Sequence, residues 1–299
     1  MKLKLSLLFL FGIVSFSHSQ NKFDTETISL SERWDLIKPS NKKQLFKFEP
    51  YKPVYILFAN YTSNINQQPT SENPNNTVPI PLELNQVELK FQLSFKTKVL
   101  QNIFGEKTGG AIWLAYTQSS RWQVYNDVHS RPFRETNYEP EVLFILPTKY
   151  NLFGLRGVYS GVGLTHQSNG RANPLSRSWN RLIFHVGLEA NEWSVIFRPW
   201  IRISEDLAKD DNPNIENYVG RAELLVAYKH KKHQVSFKGR HSLNGGANNR
   251  GSVQFDYAAQ LYNNLKIYTQ FFHGYGESLI DFNHKQTTIG IGLSLVNWM

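Results

Sequence analysis

Apolar and polar residues alternate along most of the chain after its first 50 residues, with the period of two that is typical of β-strands. Residues 193–203 illustrate the pattern: Val195 and Phe197 take one side of the predicted strand, and Arg198 and Arg202 take the other. The same alternation predicts twelve strands, at residues 54–61, 87–98, 110–118, 140–147, 155–166, 179–190, 193–203, 218–230, 233–243, 250–260, 265–274 and 288–298. The fold is therefore predicted to be all-β.

The connections between the later strands are alternately long and short. Residues 191–192 and 231–232 form short turns, whereas 167–178, 204–217 and 275–287 form long loops. An even number of strands with this alternation is typical of bacterial barrels, whose short turns face the periplasm. We therefore predict a twelve-stranded antiparallel transmembrane β-barrel of the bacterial outer membrane. A soluble β-sandwich shows the same periodicity, so the choice between the two rests on other features.

One such feature is the N-terminus, where Lys2 and Lys4 precede an apolar run at residues 5–16. This layout is that of a secretory signal peptide, which we place at residues 1–19. The aromatic content of 14% and the loop lengths also favour the outer membrane. The chain has no cysteine, so disulfides are excluded as a source of stability.

The mature chain is predicted to have two parts. Residues 20–50 form a periplasmic N-terminal segment with a short helix around residues 30–37, and residues 51–299 form the barrel. On the interior side of the predicted strands, charged residues of both signs indicate a plugged, hydrogen-bonded lumen rather than an open pore. These residues are Arg181, Glu189, Arg198, Arg202, Glu223, Lys238 and Arg240, and we expect them to pair with one another.

The formal net charge is +9, and it falls by two, to +7, without Lys2 and Lys4. This excess has two interpretations, surface solubility or attraction to anionic lipid headgroups and lipopolysaccharide. Nucleic acid is not expected as a partner, because the basic residues are spread along strands and loops and form no stripe.

Polar residues gather at one end of the predicted hairpin formed by the strands around residues 158–166 and 179–190. Continuing the apolar parity of the first strand brings His166 and Ser168 onto the side that faces lipid, and Asn180 has the same parity in the second strand. Serine hydrolysis needs a hydroxyl, a base and a group that orients the base, and these three are of the right types. Spacing alone leaves another interpretation open, in which His166 and Ser168 are ordinary strand-end residues and Asn180 caps a turn.

The sequence around these residues, THQSNGRANPLSRSWNR at 165–181, resembles the signature of the outer membrane phospholipase A family. The similarity extends through RPFRETNYEPE at 131–141, RPW at 198–200, DDNPNIENYVG at 210–220 and GYGESLIDFN at 274–283. The resemblance implies a twelve-stranded barrel that hydrolyses acyl esters of phospholipids and lysophospholipids, with A1 and A2 activity. It implies Ser168 as nucleophile, His166 as base and Asn180 as the orienting residue, on the outer face of the barrel at the outer leaflet.

The resemblance also implies calcium, bound where two barrels meet in a homodimer that forms when the enzyme is active. Position by position, the ligands would be the hydroxyl of Ser176 and the backbone carbonyls of Arg171 and of Ser130, the last from the partner subunit. Oxygen ligands suit calcium. Gln118 matches a polar residue that the family uses at the dimer interface.

The chain departs from the family pattern at Gln167, where an acidic residue is common, and at Arg131, where a small residue is usual. Both changes are expected to weaken calcium affinity by making the local charge more positive. Two other functions stay open on the residues alone. One is a non-catalytic barrel, either a channel or an adhesin, and the other is a lipid acyltransferase that uses the same acyl-enzyme.

Overall fold

The computed structural model describes residues 29–36, 45–206 and 208–298. Two short helices, α1 (Leu30–Arg33) and α2 (Gly105–Thr108), accompany thirteen strands. The strands are β1 (Phe48–Pro50), β2 (Val54–Thr62), β3 (Val87–Gln101), β4 (Ala111–Trp122), β5 (Phe133–Leu152), β6 (Leu155–Ser168), β7 (Ser178–Ala190), β8 (Trp193–Ile203), β9 (Ala222–His230), β10 (His233–His241), β11 (Gly251–Tyr262), β12 (Leu265–Gly274) and β13 (Gln286–Val296). Within the described ranges, no helix is long and apolar enough to cross a membrane.

Strands β2 to β13 form a closed barrel of twelve antiparallel strands. Each strand pairs with its neighbours in sequence, and β13 pairs with β2 to close the ring, with Ile289 opposite Tyr61. The short β1 adds to β3 outside this order, with Glu49 opposite Lys96. The predicted fold class is confirmed.

All twelve predicted strands are present, and they differ from the prediction only in where they begin and end. The largest difference is in β5, which was predicted at 140–147 and runs over Phe133–Leu152. Proline cannot donate to a ladder, so Pro140 and Pro147 are natural places to end a predicted strand. Pairing continues beyond both, with Glu135 opposite Arg121 at one end and Tyr150 opposite Gly157 at the other.

The two faces of the barrel have opposite chemistry. Large apolar side chains are exposed on the outer surface, among them Leu164 at 54%, Phe184 at 42% and Ile291 at 57%. Water would not favour such a band, whereas lipid does. Inside, Lys90, Arg121, Glu135, Glu141 and Asp256 are buried and charged or hydrogen-bonded, which is the reverse of a soluble domain.

Ion pairs fill the interior, although the partners differ from those expected. Arg198 pairs with Glu223 as predicted. Arg181 instead pairs at 2.8 Å with Glu139, which lies outside the predicted set. The cavity among these groups has a volume of about 150 Å³, which holds water molecules but is not an aqueous channel.

Two further predicted lumen residues also pair outside the predicted set. Arg202 contacts Asp210 and Glu216, and Glu189 accepts a hydrogen bond from Ser31 at 2.6 Å. The expectation that the lumen residues pair with one another was therefore met for Arg198 and Glu223 and wrong for Arg181, Arg202 and Glu189, because another strand, the loops and the N-terminal segment supply partners.

An N-terminal helix occupies the end of the barrel that carries the two-residue turns. Ser29 caps α1 through a capping box with Glu32, and Leu30 and Trp34 are buried against interior residues such as Trp113. The Trp34 and Trp113 rings meet edge to face at 5.5 Å. The helix was predicted around residues 30–37 and ends at Arg33, so it is shorter than expected. The signal peptide at residues 1–19 lies outside the described residues, and the boundaries at 20–50 and 51–299 stay predictions.

Long loops cover the opposite end. The β2–β3 connection is hydrogen-bonded to the β8–β9 and β12–β13 connections, and the latter two fold inward over the strand ends into an apolar cluster that closes the barrel. Its members are Trp179, Ile183, Trp200, Ile215, Val219, Leu279 and Phe282. These loops surround the end of the β6–β7 hairpin, where the candidate site lies.

Candidate active site

The β6–β7 hairpin brings two of the predicted site residues directly opposite each other. His166 pairs with Asn180 across the two strands, and Ser168 pairs with Ser178 two residues further toward the loop. Residues opposite each other in antiparallel strands point to the same side. His166 is exposed and Ser168 and Asn180 are partly exposed, so all three lie on the outer face with Leu164.

The other parity of the hairpin points inward. Tyr159, Thr165, Arg181 and His185 are all buried, with exposures of 6% or less. This agrees with the predicted division of the two strands into lipid-facing and interior sides. Gln167 belongs to the interior side, where its side chain accepts hydrogen bonds from Trp179 and Arg181. The expected effect of Gln167 on a calcium ion at the outer face is therefore not supported by its position.

His166 is held by an amide and not by a carboxylate. Its Nδ1 lies 2.8 Å from Oδ1 of Asn180. This bond leaves Nε2 of the ring for another partner, and fixes the plane of the imidazole. The Nδ2 of Asn180 in turn donates to Oε1 of Glu205 at 3.0 Å.

Ser168 lies two residues from His166 on the same face of β6, a separation of about 6.5 to 7 Å along the strand. In the described part of the chain no hydrogen bond joins its hydroxyl to His166. A contact of this kind often forms only when substrate is bound, so the hydroxyl and ring are within reach but not yet paired. The structure thus brings His166 and Asn180 into contact and leaves Ser168 beside them.

The residues around Ser168 form a row across the outer surface. Gln118 on β4 is opposite Tyr138 on β5, and Tyr138 is opposite Ser168 on β6. Two strand spacings separate Gln118 from Ser168, a distance of about 10 Å. The Gln118 amide also accepts a hydrogen bond from Tyr116 at 3.1 Å. The residue predicted for the dimer interface therefore lies on the same face as the predicted nucleophile.

The loop between β6 and β7 contacts an acidic residue of the β8–β9 loop, Asp211, that the sequence did not reveal. The hydroxyl of Ser176 donates to Oδ2 of Asp211 at 2.6 Å, and the Ser178 hydroxyl lies 3.5 Å from the same oxygen. Asn76 from the β2–β3 loop donates to Oδ1 of Asp211 at 3.1 Å and to the Ser176 carbonyl at 2.9 Å. A carboxylate, a hydroxyl and a carbonyl therefore meet at Ser176, two residues from Ser178, the partner of Ser168 across the strands.

This donor set fits a hard cation. Calcium prefers carboxylate, hydroxyl and carbonyl oxygens, and Asp211 adds the negative charge that Ser176 lacks. No group of three or more His, Cys, Asp or Glu side chains suited to a metal occurs among the residues that the structure describes. A calcium site here would therefore depend on backbone carbonyls and water for its remaining ligands.

The two predicted carbonyl ligands lie in different loops. Arg171 is exposed in the β6–β7 loop, and its backbone amide donates to Oδ1 of Asn169 at 3.3 Å. Ser130 is exposed at the tip of the β4–β5 loop, and it and Arg131 both have positive φ, of 55° and 56°. The left-handed backbone at Ser130 is uncommon for a residue with a side chain, and such strain is often found at functional positions.

A buried arginine supports the β6–β7 loop from below. Arg177 donates to the backbone carbonyls of Thr70, Asn76, Pro174 and Ser176. Burial lowers the pKa of Arg177 to about 10, which still leaves it charged at neutral pH. It ties the β2–β3 loop to the loop that contains Ser176, so the position of this hydroxyl depends on two segments distant in sequence.

Sequence reasoning missed Glu205, Asp211 and Asn76. For Glu205 a signal existed, because Ile201 and Ile203 are exposed and Glu205 continues their parity past the end of β8. Asp211 lies in a segment that carried the family resemblance, but spacing gave no reason to place it beside Ser176. The contact of Asn76 with Asp211 joins residues 135 positions apart.

The chain as a whole is similar to known proteins. The family model described as phospholipase A1 matches residues 30–295. A phospholipase A1 of Salmonella typhimurium is 37% identical over 252 residues, which cover 84% of this chain and 82% of that protein.

Solved structures agree with this match. The outer membrane phospholipase A of Escherichia coli has a TM-score of 0.75 and 33% identity, over 85% of this chain and 100% of that one. An outer membrane phospholipase of Salmonella typhi, described as a dimer with bound calcium, has a TM-score of 0.75 and 34% identity, over 86% of this chain and 95% of that one.

Proposed function

The chain belongs to the phospholipase A1 family, and from that premise we propose that it is a calcium-dependent serine hydrolase of phospholipid acyl esters. It is a phospholipase of the bacterial outer membrane. The proposal assigns Ser168, His166 and Asn180 as a catalytic triad, with A1 and A2 activity toward phospholipids and lysophospholipids. The observation that carries it is the 2.8 Å hydrogen bond between His166 and Asn180 on the outer face, beside Ser168.

The proposed reaction follows from these three groups. The Oγ of Ser168 attacks the ester carbonyl while Nε2 of His166 takes its proton, and the same ring then protonates the departing alkoxide. Water hydrolyses the acyl-enzyme by the reverse proton path. Asn180 keeps Nδ1 of the ring protonated and its plane fixed, and as a neutral amide it avoids placing an ionised group directly against hydrocarbon.

The outward orientation determines how substrate arrives. Leu164 and Phe184 are exposed beside the triad, so the acyl chain of a phospholipid in the outer leaflet lies against the same surface as the site. Substrate therefore enters laterally from the membrane and does not pass through the filled interior.

Calcium fits the oxygen-rich end of the hairpin. We assign Ser176 and the carbonyl of Arg171 as ligands, together with the carbonyl of Ser130 of the partner subunit, and add Asp211 because its carboxylate contacts Ser176. When bound, a divalent cation there supplies positive charge that stabilises a developing oxyanion. Asn76 and Arg177 hold this part of the loop in place.

Homodimer formation would complete the site. Ser130 projects from a neighbouring loop, and Gln118 lies on the outer face in the row that includes Ser168. A second barrel packed over this row would shield polar side chains that otherwise face hydrocarbon. The Salmonella typhi relative described as a calcium-bound dimer supports this assignment.

The test is a hydrolysis assay of detergent-solubilised protein on a phospholipid, in chelator and in calcium, with product identification by mass spectrometry. Release of fatty acid and lysophospholipid that stops in chelator and returns with calcium is expected. Full activity in excess chelator would contradict the calcium assignment. Transfer of the acyl chain to an added acceptor, with no free fatty acid, would favour an acyltransferase. Ion conductance without any hydrolysis would favour a channel.

A further inference from the structure

The carboxylate of Glu205 is the last member of a chain of hydrogen bonds that begins at His166. Oδ1 of Asn180 contacts Nδ1 of His166 at 2.8 Å, and Nδ2 of Asn180 donates to Glu205 at 3.0 Å. The contact follows from the strand register, because Ile203 is opposite Asn180 and Glu205 lies two residues beyond it on the same side. Glu205 is partly exposed at the start of the β8–β9 loop.

A carboxylate affects an asparagine in a way that a neutral partner does not. The two ends of an asparagine amide are nearly the same shape, so the side chain can present either its oxygen or its nitrogen to His166. An ionised carboxylate only accepts hydrogen bonds. Glu205 therefore favours the orientation in which Nδ2 faces it and Oδ1 faces the histidine.

The orientation of the Asn180 amide determines the tautomer of the His166 imidazole. An oxygen next to Nδ1 requires a proton on Nδ1, which leaves Nε2 unprotonated and able to accept the proton of the Ser168 hydroxyl. The opposite orientation of the amide would place a donor next to Nδ1 and favour the tautomer in which Nε2 carries the proton. The negative charge of Glu205 also favours the imidazolium that forms during attack.

We propose that Glu205 is a positioning residue, which sets the amide orientation of Asn180 and through it the tautomer of His166. Glu205 touches no reacting atom and acts on the triad of Ser168, His166 and Asn180 only through Asn180. This inference rests on the proposed function and assigns the fourth residue of that site.

The experiment compares folded, purified variants in the calcium-supplemented phospholipid assay, with kcat and KM measured separately. Glu205→Ala is expected to lower kcat about tenfold with little change in KM, the size typical of losing one hydrogen bond to a charged group. Glu205→Gln is expected to keep more activity than Glu205→Ala, because its Oε1 still accepts from Asn180. Asp206→Asn, which removes one charge from the adjacent exposed position, is the matched control and should behave as wild type.

A double-mutant cycle tests whether Glu205 acts through Asn180. In an Asn180→Ala background, Glu205→Ala should change kcat by less than about twofold, because the relay is already broken. The same tenfold loss in both backgrounds would overturn the proposal, as would a wild-type kcat in Glu205→Ala or a loss confined to KM.

Two further measurements separate this inference from the function on which it rests. Wild type and Ser168→Ala are assayed alongside. An inactive wild type, or an active Ser168→Ala, would refute the proposed hydrolase. An active wild type and an inactive Ser168→Ala, combined with a Glu205→Ala that matches wild type, would refute only the role of Glu205. Circular dichroism and thermal unfolding confirm that each variant is a folded barrel.

Discussion

Two groups of polar residues in this barrel each include a glutamate and lie in opposite surroundings. The interior cluster consists of Lys90, Arg121 and Glu277, all buried. The outer-face group consists of His166, Asn180 and Glu205, all at least partly exposed. Both are connected by hydrogen bonds, but they differ in how completely their polar atoms are paired.

Glu277 has several strong contacts. One carboxylate oxygen lies 2.5 Å from Lys90, the other lies 2.7 Å from Nε of Arg121, and Arg121 makes a further contact at 3.1 Å. In the outer-face group a single line of two bonds runs from ring to amide to carboxylate. Paired charges in the interior stabilise one arrangement, whereas the outer-face group leaves a ring nitrogen and a hydroxyl available for reaction. The number of hydrogen-bond partners therefore distinguishes the interior cluster, which is structural, from the outer-face group, which is proposed to react.

Replacing the nucleophile is the most severe test of the outer-face group. Ser168→Ala is expected to lower kcat/KM roughly 10⁴-fold, because the variant lacks the hydroxyl that attacks the ester. Thermal unfolding should be unchanged, since the Ser168 side chain makes no hydrogen bond in the described structure. Ester hydrolysis measures kcat/KM. The gel mobility of samples heated to increasing temperatures measures thermal unfolding.

Ser160→Ala is the matched control, because Ser160 has the same parity on the same strand and is opposite Val186, away from the loop. It should retain activity. Equal losses in the two variants would show that the assay reports on the strand and not on the nucleophile.

The interior cluster should respond in the opposite way. Glu277→Gln leaves Lys90 and Arg121 buried without their anion, and breaking a buried ion pair on one side costs about 3 kcal/mol or more of unfolding free energy. Equilibrium unfolding in detergent with denaturant measures this loss. Glu192→Gln, at the exposed β7–β8 turn, is the control and should be neutral. A neutral Glu277→Gln would contradict a structural role for the interior cluster.

Acid provides an independent test of the same cluster. Burial alone would raise the pKa of Glu277, but the charges of Arg121 and Lys90 outweigh it and hold the pKa well below the ordinary value of 4.5. Its contribution to stability is therefore complete above about pH 4.5 and is lost as the pH falls through the lower, folded-state pKa. Unfolding midpoints measured from pH 7 to pH 2 should fall with acid in wild type and fall less in Glu277→Gln.

Asn180→Ala should weaken catalysis less than removal of the nucleophile. We expect kcat to fall about 100-fold, because the ring loses its orienting bond while Ser168 and His166 remain. Measurement of kcat for Asn180→Ala and Ser168→Ala in the same assay gives the ratio of the two losses. A loss as large as that of Ser168→Ala would mean that Asn180 does more than orient the ring.

The smallest expected effect concerns calcium. Asp211→Asn removes the negative charge beside Ser176, so the calcium concentration for half-maximal activity should rise about tenfold while activity at saturation is retained. Asp206→Asn is the control in the same loop. Unchanged calcium dependence in Asp211→Asn would exclude this carboxylate from the calcium site.

The sequence predicts the barrel well because the period of two is repeated in every strand, so an error in one strand does not alter the fold. It also predicts which side of the hairpin faces outward, because Leu164, His166 and Ser168 differ from their neighbours by parity alone. These are local properties, visible over a few residues. The family resemblance adds the roles of the site residues, which parity does not provide.

Contacts between distant segments are what the sequence does not reveal. Lys90 and Glu277 are 187 residues apart, and Asn76 and Asp211 are 135 apart. Their pairing depends on the stagger of the whole barrel and on how long loops fold inward. The same limit explains why Arg181 was expected to pair within a set that excluded its actual partner, Glu139.

The helix α1 provides a constraint of a different kind, on the order in which the molecule is assembled. Arg33 donates to the carbonyl of Asn297 at 2.6 Å across 264 residues, and Leu30 and Trp34 pack in the same cluster as Trp298. The binding surface for α1 includes residues of β3, β4, β6 and β7 and the residues that follow β13, so it is complete only after β13 has been synthesised.

The contact between α1 and the residues after β13 is therefore one of very high contact order, which forms late in folding. Once docked, the helix links the first described segment to the last across the seam between β2 and β13. A chain that lacked α1 would retain every barrel strand but lose this link between residues on the two sides of the seam.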